Sequence, residues 1–568
     1  MHPCRSAGTA IAGVRRGGDA RWYRGNLHTH TLWSDGNELP EAVVDWYRNN
    51  GYHFLAITEH DLAPGDEGWV AASRRPATMA GLDGSLAPER RDGEHVEELR
   101  LKPLHELQTT FDAPGRFLLL PGEEISDAVG PVSVHVNAVN LATTIQPARA
   151  ASVDATIAAD FAAIAAQGKT EGRDILAQLN HPNFTYSITA EHLMRLPGVA
   201  FFEVYNGHPL SNNPGDGLRA STESAWDVAL AWRLDVLGLP MLYATATDDS
   251  HHYQPGGDAS PGRGWIEVLS PALSPDALFD AMREGRFYAS TGVRLKRIVA
   301  TADRMEVEVE PEAGTQYTIE FIGTRRGFDA TATPPASATS RSIYASHRYD
   351  PKIGSVFSRQ QGTSAIHRFD DDDLYVRARI TATRTHHDPS QPLQFAQAWV
   401  QPIVGPAGHA PSRRDLAPPT PPPPALHRGI TRRFQALDKD EATRRLSRPR
   451  IPCSVDTLSD AHGISWPVYP SRGSAAFSGW IADPGTGRVP GSFAIVLEGA
   501  RHYMVEDGPG RRRVDVANHF GNPAFEAAGF HASLELADVA AGEYRIWLLG
   551  FDRGNATVCD SGKTLQVE

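Results

Sequence analysis

Near its start the chain reads Asn26-Leu27-His28-Thr29-His30-Thr31-Leu32-Trp33-Ser34-Asp35-Gly36, a strand-like run that ends in metal-ligand residues. His28 and His30 are two residues apart, and side chains at that spacing share one face of a strand. Both imidazoles can therefore reach one metal ion. For a single His-x-His motif, two unrelated surface histidines are the alternative, because short motifs often match by chance.

Further segments repeat this design, with an apolar run followed by metal-ligand residue types. They are Ala56-Ile57-Thr58-Glu59-His60-Asp61, Pro121-Gly122-Glu123-Glu124-Ile125, Val134-His135-Val136, Asn180-His181-Pro182 and Thr247-Asp248-Asp249-Ser250-His251. Polar groups at repeated strand ends are typical of the catalytic face of an α/β barrel. Imidazoles and carboxylates that converge there indicate a multinuclear metal site, and the repetition makes chance a poor explanation.

Composition favours a large soluble protein. The 568 residues suggest about two to four domains, and the net charge of −13 gives no support to a nucleic-acid partner. The three cysteines (Cys4, Cys453 and Cys559) are too few and too scattered for a disulfide framework or a thiolate zinc site. We expect no membrane partner and a cytoplasmic location, because neither an apolar membrane span nor a signal peptide is apparent. The sequence leaves the oligomeric state open.

The motifs that contain His28, Asp35, His60, Glu124 and His251 resemble those of the PHP (polymerase and histidinol phosphatase) superfamily of metallohydrolases. A closer resemblance is to a bacterial branch that includes carbaryl hydrolases. It rests on Asn180-His181-Pro182-Asn183-Phe184, Glu203-Val204-Tyr205-Asn206-Gly207-His208, Gly262-Arg263-Gly264-Trp265 and Gly285-Arg286-Phe287-Tyr288-Ala289-Ser290-Thr291-Gly292. The resemblance is strong over about residues 20–295 and weaker to about residue 403.

The resemblance implies an α/β fold with a distorted seven-stranded (β/α)7 barrel and two to three divalent ions, which would be Mn, Fe or Zn. Carried over position by position, the ligands of the first metal would be His28, His30, Glu124 and Asp249. Those of the second would be Glu124, His135 and His181, and those of the third Asp35, His60 and His251. Glu123 offers an alternative register, but the family spacing Gly-x-Glu-Ile selects Glu124.

Five segments are predicted along the chain. They are a disordered segment over residues 1–20, the barrel over 21–294, a small β-rich module over 295–403, a linker over 404–428 and an immunoglobulin-like β-sandwich over 429–568. Alternating strand patterns define the module, and eight prolines define the linker. Within the barrel, residues 62–110 are long and polar, which suits an insertion that covers the site.

Three functions compete for a site of this kind. The wider superfamily favours a phosphoesterase that attacks a phosphomonoester or phosphodiester with a metal-bridging hydroxide. The closer branch favours a carboxylester or aryl-carbamate hydrolase that uses the same metals. The third is a binding protein that retains the barrel without catalysis, which the intact set of ligand positions disfavours. Both enzymatic hypotheses predict a small-molecule ester as substrate.

Two further residues are candidates for catalysis. His208 is a candidate proton donor to the leaving group, or alternatively a loop histidine that holds its own backbone. Arg263 is a candidate clamp for a phosphoryl or carbonyl oxygen, or alternatively a member of a salt bridge. We expect Asp61 and Asp248 to orient ligand imidazoles by hydrogen bonds rather than to bind metal.

Overall fold

A computed structural model gives the structure of this chain. It describes residues 20–63, 65, 68–75, 86–93, 96–129, 132–184, 186–215, 219–254, 259–334, 346–390, 394–413, 415–422, 432–459, 474–507, 513–552 and 555–568. Nearly all of the predicted N-terminal segment and residues 423–428 of the predicted linker lie outside these ranges. The chain divides into two compact units, Met1–Ala425 and Leu426–Glu568.

The strands of the first unit are β1 (Arg21–Asn26), β2 (Phe54–His60), β3 (Gly68–Ala71), β4 (Arg90–Asp92), β5 (Glu97–Leu101), β6 (Leu118–Val129), β7 (Val132–Val139), β8 (Leu176–Leu179), β9 (Ala200–Asn206), β10 (Leu242–Thr247), β11 (Trp265–Ser270), β12 (Phe287–Ser290), β13 (Leu295–Ala300), β14 (Arg304–Val309), β15 (Tyr317–Arg325), β16 (Ser355–Gln361), β17 (Ser364–Arg368), β18 (Asp373–Thr385) and β19 (Phe395–Val404). Its α-helices are α1 (Pro40–Asn49), α2 (Leu104–Phe111), α3 (Val153–Glu171), α4 (Ala190–Leu193), α5 (Thr222–Trp232) and α6 (Pro275–Arg283). Two 3₁₀ turns (Ala72–Arg74 and Pro406–His409) and a π-helical extension of α5 (Arg233–Leu237) complete it.

One mixed sheet organises this unit. Its order is β10-β9-β8-β7-β6-β2-β1-β11-β12-β19-β18-β15-β16. The pairs β1–β2, β2–β6, β8–β9 and β9–β10 are parallel. Strands β7, β9 and β10 are buried along their whole length, as expected where both faces of a sheet are covered. The predicted α/β class is confirmed, whereas closure of seven strands into a barrel stays a prediction.

The predicted β module continues this sheet, because β19 pairs with β12 and is followed by β18, β15 and β16. Strands β13, β14 and β17 form a separate sheet, and both sheets contribute to one buried cluster that includes Val307, Phe321 and Ile380. A buried ion pair ties the module to α5, with Arg377 Nη2 at 2.7 Å from Asp227 Oδ2. The described residues between 21 and 404 therefore pack as one body.

Part of the predicted linker is bound to the first unit. The backbone N–H groups of Ser412 and Arg413 each donate to the carbonyl oxygen of Asp235 at 2.9 Å. Arg195 Nη2 donates to the carbonyl oxygen of Pro419 at 2.6 Å. The proline-rich composition thus describes a segment whose first part lies along the unit.

The second unit contains β20 (Arg432–Arg433), β21 (Gln435–Leu437), β22 (Cys453–Ser459), β23 (Ser474–Ile481), β24 (Ser492–Glu498), β25 (His502–Asp507), β26 (Gly529–Glu535), β27 (Gly542–Asp552) and β28 (Asn555–Val567), with helices α7 (Lys439–Leu446) and α8 (Val514–Phe520) and a 3₁₀ turn (Pro523–Ala527). The strands form sheets of order β20-β26-β23-β22 and β21-β25-β24-β27-β28. Both sheets supply one buried cluster, which includes Phe477 and Ile495. An immunoglobulin-like topology stays a prediction.

A single disulfide joins Cys453 of β22 to Cys559 of β28, a pair that cysteine spacing did not predict. The two cysteines are 106 residues apart in sequence, yet their Cα atoms lie 5.9 Å apart. Distance along the chain does not limit proximity between strands of packed sheets, so spacing alone hid this pair. Across the described ranges, no helix is long and apolar enough to span a membrane.

Candidate metal centre

The site begins where β1 and β10 end side by side. Past β1 the isolated bridge between Thr29 and Ser250 joins the chain to the residues after β10. His30 N donates to the carbonyl oxygen of Ser250 at 3.0 Å, and Asp249 N donates to that of His28 at 3.1 Å. The predicted His-x-His pair therefore lies just beyond the strand rather than within it, and its rings are 5.2 Å apart.

Glu124 is at the centre of the site. Five imidazole nitrogens approach its carboxylate, with His60 Nδ1, His135 Nδ1 and His181 Nε2 at 3.1 Å, His28 Nε2 at 3.2 Å and His30 Nε2 at 3.4 Å. Adjacent side chains on a strand point to opposite faces. The neighbouring Glu123 accordingly points elsewhere and accepts a hydrogen bond from Ile145 N at 2.8 Å.

Asp249 and Asp35 extend the cluster to either side of His30. Asp249 Oδ1 lies 3.2 Å from His30 Nε2 and 3.3 Å from His28 Nε2. Asp35 Oδ1 lies 3.2 Å from His251 Nε2, and Asp35 Oδ2 lies 3.5 Å from His60 Nε2. The loop that carries Asp35 comes this close because Gly36 lacks a side chain, since a Cβ there would lie 2.7 Å from the backbone of His30.

All nine predicted ligand positions lie in overlapping groups whose ligand atoms are within 4.8 Å of one another. The groups are His30/Asp35/His60/His251, His28/His181/Asp249, His28/His30/Glu124 and His60/Glu124/His135. The first contains the whole third-metal set implied by the family resemblance. Of the others, His28/His30/Glu124 lies within the first set, His28/His181/Asp249 mixes the first and second, and His60/Glu124/His135 joins the second set to His60 of the third. The division of ligands among ions therefore stays a prediction.

The donor atoms suit divalent ions. His28 Nε2, His30 Nε2 and Glu124 Oε2 are buried and have no hydrogen-bond partner, which is costly for polar atoms unless something else binds them. The Nδ1 atoms of His60 and His251 are tied to Ser126 Oγ at 2.6 Å and to the carbonyl oxygen of Asp249 at 2.9 Å. Their Nε2 atoms face Asp35, at 3.5 and 3.2 Å, and the hydrogen bonds at Nδ1 fix the rings, as in metal-binding histidines.

Opposite charges perturb the titration of the cluster. Burial alone would lower the pKa of His28, but the carboxylates of Asp249, Glu124 and Glu203 raise it well above its usual value. Burial would raise the pKa of Glu124, but the nearby imidazoles of His28, His135 and His60 hold it well below its usual range. The carboxylates and the imidazoles stabilise each other's charged forms. The carboxylates are therefore anionic and available to cations.

Glu203 orients ligands without joining them. The Nδ1–H of His28 donates to Glu203 Oε1 at 2.8 Å, and His181 N donates to Oε2 at 2.6 Å. Asn206 Nδ2 links Glu203 Oε2 at 2.8 Å to Asp249 Oδ2 at 3.1 Å. Glu203 thus fixes the orientation of His28 and the backbone at His181.

Asp248 and Asp61 hold backbone rather than imidazoles. Asp248 accepts hydrogen bonds from Gly262 N at 2.8 Å and Gly264 N at 2.7 Å, and Asp61 accepts one from Ser126 N at 2.7 Å. The expectation that they orient ligand imidazoles by direct hydrogen bonds was wrong, because Glu203 and Ser126 take that role.

Backbone conformation is strained at the same place. His181 and Asp249 have φ angles of 21° and 50°, a left-handed region that residues other than glycine seldom adopt. Such strain persists where surrounding contacts fix it, and it concentrates at functional sites. Hydrogen bonds provide those contacts here. His181 N donates to Glu203 Oε2, and Asp249 N donates to the carbonyl oxygen of His28.

His208 reaches the cluster, whereas Arg263 lies behind it. The ring of His208 is 5.5 Å from that of His251, and its Nδ1 accepts a hydrogen bond from Leu210 N at 3.2 Å. Arg263 is buried and binds both carboxylate oxygens of Asp388, at 2.9 and 3.1 Å. It also donates to the carbonyl oxygen of Gly207 at 2.9 Å. The structure therefore shows Arg263 in contacts that support the His208 loop, and its role as an oxygen clamp stays a prediction.

Sequence reasoning missed the roles of Glu203 and Asp388. A sequence signal existed for Glu203, since a carboxylate within an apolar strand needs partners. No comparable signal marked Asp388, because it lies 125 positions from Arg263 in sequence.

Comparisons with known proteins found no matching family model and no matching curated protein. A two-domain protein from Bacteroides vulgatus ATCC 8482, containing a predicted PHP-like metal-dependent phosphoesterase, aligns with 70% of this chain and 100% of its own at 15% identity and a TM-score of 0.30. A proposed metal-dependent phosphoesterase from Bifidobacterium adolescentis ATCC 15703 aligns with 46% of this chain and 94% of its own at 17% identity and a TM-score of 0.23. TM-scores this low support no conclusion about the present chain, so its function is argued from its own site.

Proposed function

We propose that this chain is a metal-dependent phosphoesterase of the PHP superfamily that acts on a small-molecule phosphomonoester or phosphodiester. The observation that carries the proposal is the convergence of six imidazoles and three carboxylates within 4.8 Å in overlapping groups. Such a donor set suits Mn, Fe or Zn. The proposal includes two to three ions and a seven-stranded barrel built from β1, β2 and β6–β10.

The chain's own residues prepare the site for this chemistry. Divalent ions bound here would supply an activated water molecule and would stabilise charge on phosphoryl oxygens. Glu203 and Ser126 keep His28 and His60 oriented before substrate arrives. His208 accepts a hydrogen bond at Nδ1, so the proton of the neutral ring is on Nε2, from which it can be donated to a leaving oxygen.

Charge favours a phosphoester over a carboxylester. The ligand set contains three carboxylates, and two to three divalent ions would leave that set net positive. A positive cavity concentrates anionic substrates, and a phosphoester remains anionic throughout the reaction. A neutral carboxylester or carbamate would gain less from this field.

A substrate panel with metal-loaded protein tests the proposal. After reconstitution with Mn, Fe or Zn, elemental analysis should find two to three equivalents. Turnover should be highest with p-nitrophenyl phosphate or bis-p-nitrophenyl phosphate. Preference for p-nitrophenyl acetate or 1-naphthyl N-methylcarbamate would replace the proposal by the carboxylester or carbamate alternative. Binding of less than one equivalent of every metal would refute a metal-dependent function.

A further inference from the structure

The insertion after β2 packs against the loop that carries Asp35. Strands β3, β5 and β4 form a three-stranded antiparallel sheet, and Val70, Leu99 and Leu101 from it share a buried cluster with Leu32 and Leu39. This cluster fixes the 3₁₀ turn Ala72–Arg74, which directly follows β3, next to the loop. The insertion therefore packs against the residues that flank the loop of the candidate ligand Asp35.

Two consecutive arginines at the end of this turn contact the loop differently. Arg75 is held by both carboxylate oxygens of Glu38, at 2.5 and 2.8 Å. Among the described residues, Arg74 contacts only backbone oxygens, with Nη1 donating to Leu32 O at 3.3 Å and Nη2 donating to Ser34 O. Arg75 thus forms a salt bridge, whereas no carboxylate in the described ranges is in hydrogen-bond contact with Arg74.

Arg74 lies at the rim of the metal cluster. Ser34, whose carbonyl oxygen it binds, directly precedes Asp35, and the Asp35 carboxylate is 3.2 Å from His251 Nε2. Arg74 as a residue is exposed, while Glu124, His28 and His30 are buried. Partial burial of its guanidinium lowers the pKa of Arg74, and the charges of Asp35 and Glu59 raise it.

The guanidinium of Arg74 retains donors for a ligand. An arginine carries five N–H groups, and the two contacts to backbone oxygens use one on each terminal nitrogen. The remaining donors lie on a group anchored beside Asp35. An anchored guanidinium loses little entropy on binding and suits the oxygens of a phosphate.

We propose that Arg74 is a specificity-determining residue that binds an anionic oxygen of the substrate at the rim of the metal centre. This inference rests on the proposed phosphoesterase function and adds to it a recognition element in the insertion. It identifies the preferred substrate class as esters with at least one anionic phosphoryl oxygen outside the metal cluster. The competing role is purely structural, in which Arg74 only holds the loop at Ser34.

Three variants of the full-length, metal-loaded protein separate these roles. Arg74→Gln removes the charge, and Arg74→Lys keeps it without the planar geometry. The matched control is Arg91→Gln in β4 of the same insertion, because the Arg91 side chain is half-exposed and pairs with Glu98 at 2.6 Å. Metal content, binding of inorganic phosphate by calorimetry and kinetics with p-nitrophenyl phosphate and p-nitrophenyl acetate are measured for each.

If Arg74 binds substrate, Arg74→Gln should raise KM for p-nitrophenyl phosphate and the Kd of inorganic phosphate by about 10-fold or more, the usual value of a charge-assisted contact. Metal content and kcat should stay near wild type, Arg74→Lys should be intermediate and Arg91→Gln unchanged. Any turnover of p-nitrophenyl acetate should keep its KM. Three results would overturn the inference. They are an unchanged phosphate Kd in Arg74→Gln, a wild type that does not bind phosphate, and an equal loss of activity on both esters that accompanies a loss of metal. If the wild type binds phosphate without hydrolysing phosphoesters, the proposed function fails, while the phosphate Kd still decides the role of Arg74.

Discussion

Glu124 contacts more candidate ligands than any other carboxylate of the cluster, and its position on β6 explains why. Four imidazole nitrogens lie within 3.2 Å of its two oxygens. Asn180 Nδ2 also donates to Oε1 at 2.8 Å, which fixes the carboxylate plane. A side chain so surrounded can bridge two cations without moving.

Glu124→Gln should therefore abolish the site, whereas Glu123→Gln should not. An amide in place of Glu124 removes the negative charge that faces these imidazoles, so we expect loss of at least one metal equivalent and an activity loss of ~100-fold or more, since even partners of metal ligands usually contribute 10–100-fold. Glu123→Gln keeps an oxygen to accept the Ile145 N–H bond. Elemental analysis and phosphoesterase assays of both variants check this, and a dead Glu123→Gln with an active Glu124→Gln would reverse the assignment.

At the scale of elements, buried carboxylates hold the loop between β7 and α3. Glu123 accepts from Ile145 N at 2.8 Å, Asp127 from Arg149 N at 2.6 Å and Asp160 from Ala148 N at 3.2 Å. The Oδ2 atom of Asp160 is buried without a hydrogen-bond partner. The loop is thereby tied to β6 and α3 by groups whose ionised forms are costly to bury.

Asp160 should make the stability of this region depend on pH. Burial raises the pKa of its carboxyl from 3.8 to about 7. The hydrogen bond from Ala148 N–H lowers this pKa, whereas the charges of Asp127 and Asp61 raise it further. A raised pKa in the folded state means that stability is fully present below the usual pKa and is lost as pH rises through about 7. Asp160→Asn, which keeps an acceptor for Ala148, should therefore stabilise the protein at pH 8 by up to about 4 kcal/mol.

Chemical denaturation of wild type and Asp160→Asn from pH 4.5 to 8 measures this effect. The stability difference should be small at pH 4.5 and should grow towards pH 8. The matched control Asp280→Asn, at an exposed position of α6, should change stability by no more than about 0.5 kcal/mol at either pH. A pH-independent difference for Asp160→Asn would mean that its carboxyl is ionised at all these pH values.

For the whole molecule, sequence reasoning succeeded where local pattern and chemistry coincide. His28, His60 and Asp249 each follow an apolar run, so the pattern that identified the strands also located the candidate ligands. The same pattern of polar residues at the ends of apolar runs predicted the α/β class. The strand predicted to carry His28 and His30 ends earlier, at Asn26, because contacts past its end, such as the bridge between Thr29 and Ser250, depend on distant segments.

Features that depend on contacts between residues far apart in sequence could not be predicted. The module looked separate because its strands alternate, yet β19 pairs with β12 and continues the main sheet. Asp388 meets Arg263, and Cys453 meets Cys559, only after folding. No local spacing records such meetings, so a single sequence gives no sign of them.

The two units each have a hydrophobic core, which bears on where the chain can be cut. The second-unit cluster around Phe477 and Ile495 shares no residue with the first-unit cluster around Phe202 and Trp226. The nine candidate ligands all belong to Met1–Ala425. A fragment ending at Ala425 should therefore fold, bind metal and keep the activity of the full chain on small esters.

A fragment ending at Val404 should be much less stable, although it retains every strand of the large sheet. Asp235 is buried, and its carboxylate receives Ser412 Oγ at 2.5 Å and faces Arg413 Nε at 3.3 Å. Removing both partners leaves a buried charge whose one remaining ion-pair partner among the described residues is Arg326, at 3.5 Å. Breaking a buried pair in this way usually costs about 3–5 kcal/mol.

In thermal denaturation, the fragment ending at Val404 should therefore unfold at a lower temperature than the fragment ending at Ala425. The longer fragment should unfold close to the first transition of the full chain. Asp235→Asn in the shorter fragment should restore part of the lost stability, because it removes the unpaired charge and keeps the backbone unchanged. Equal stability of the two fragments would show that residues 405–422 contribute little to the unit. A soluble, metal-loaded fragment ending at Ala425 that lacks activity would instead show that the second unit takes part in the chemistry.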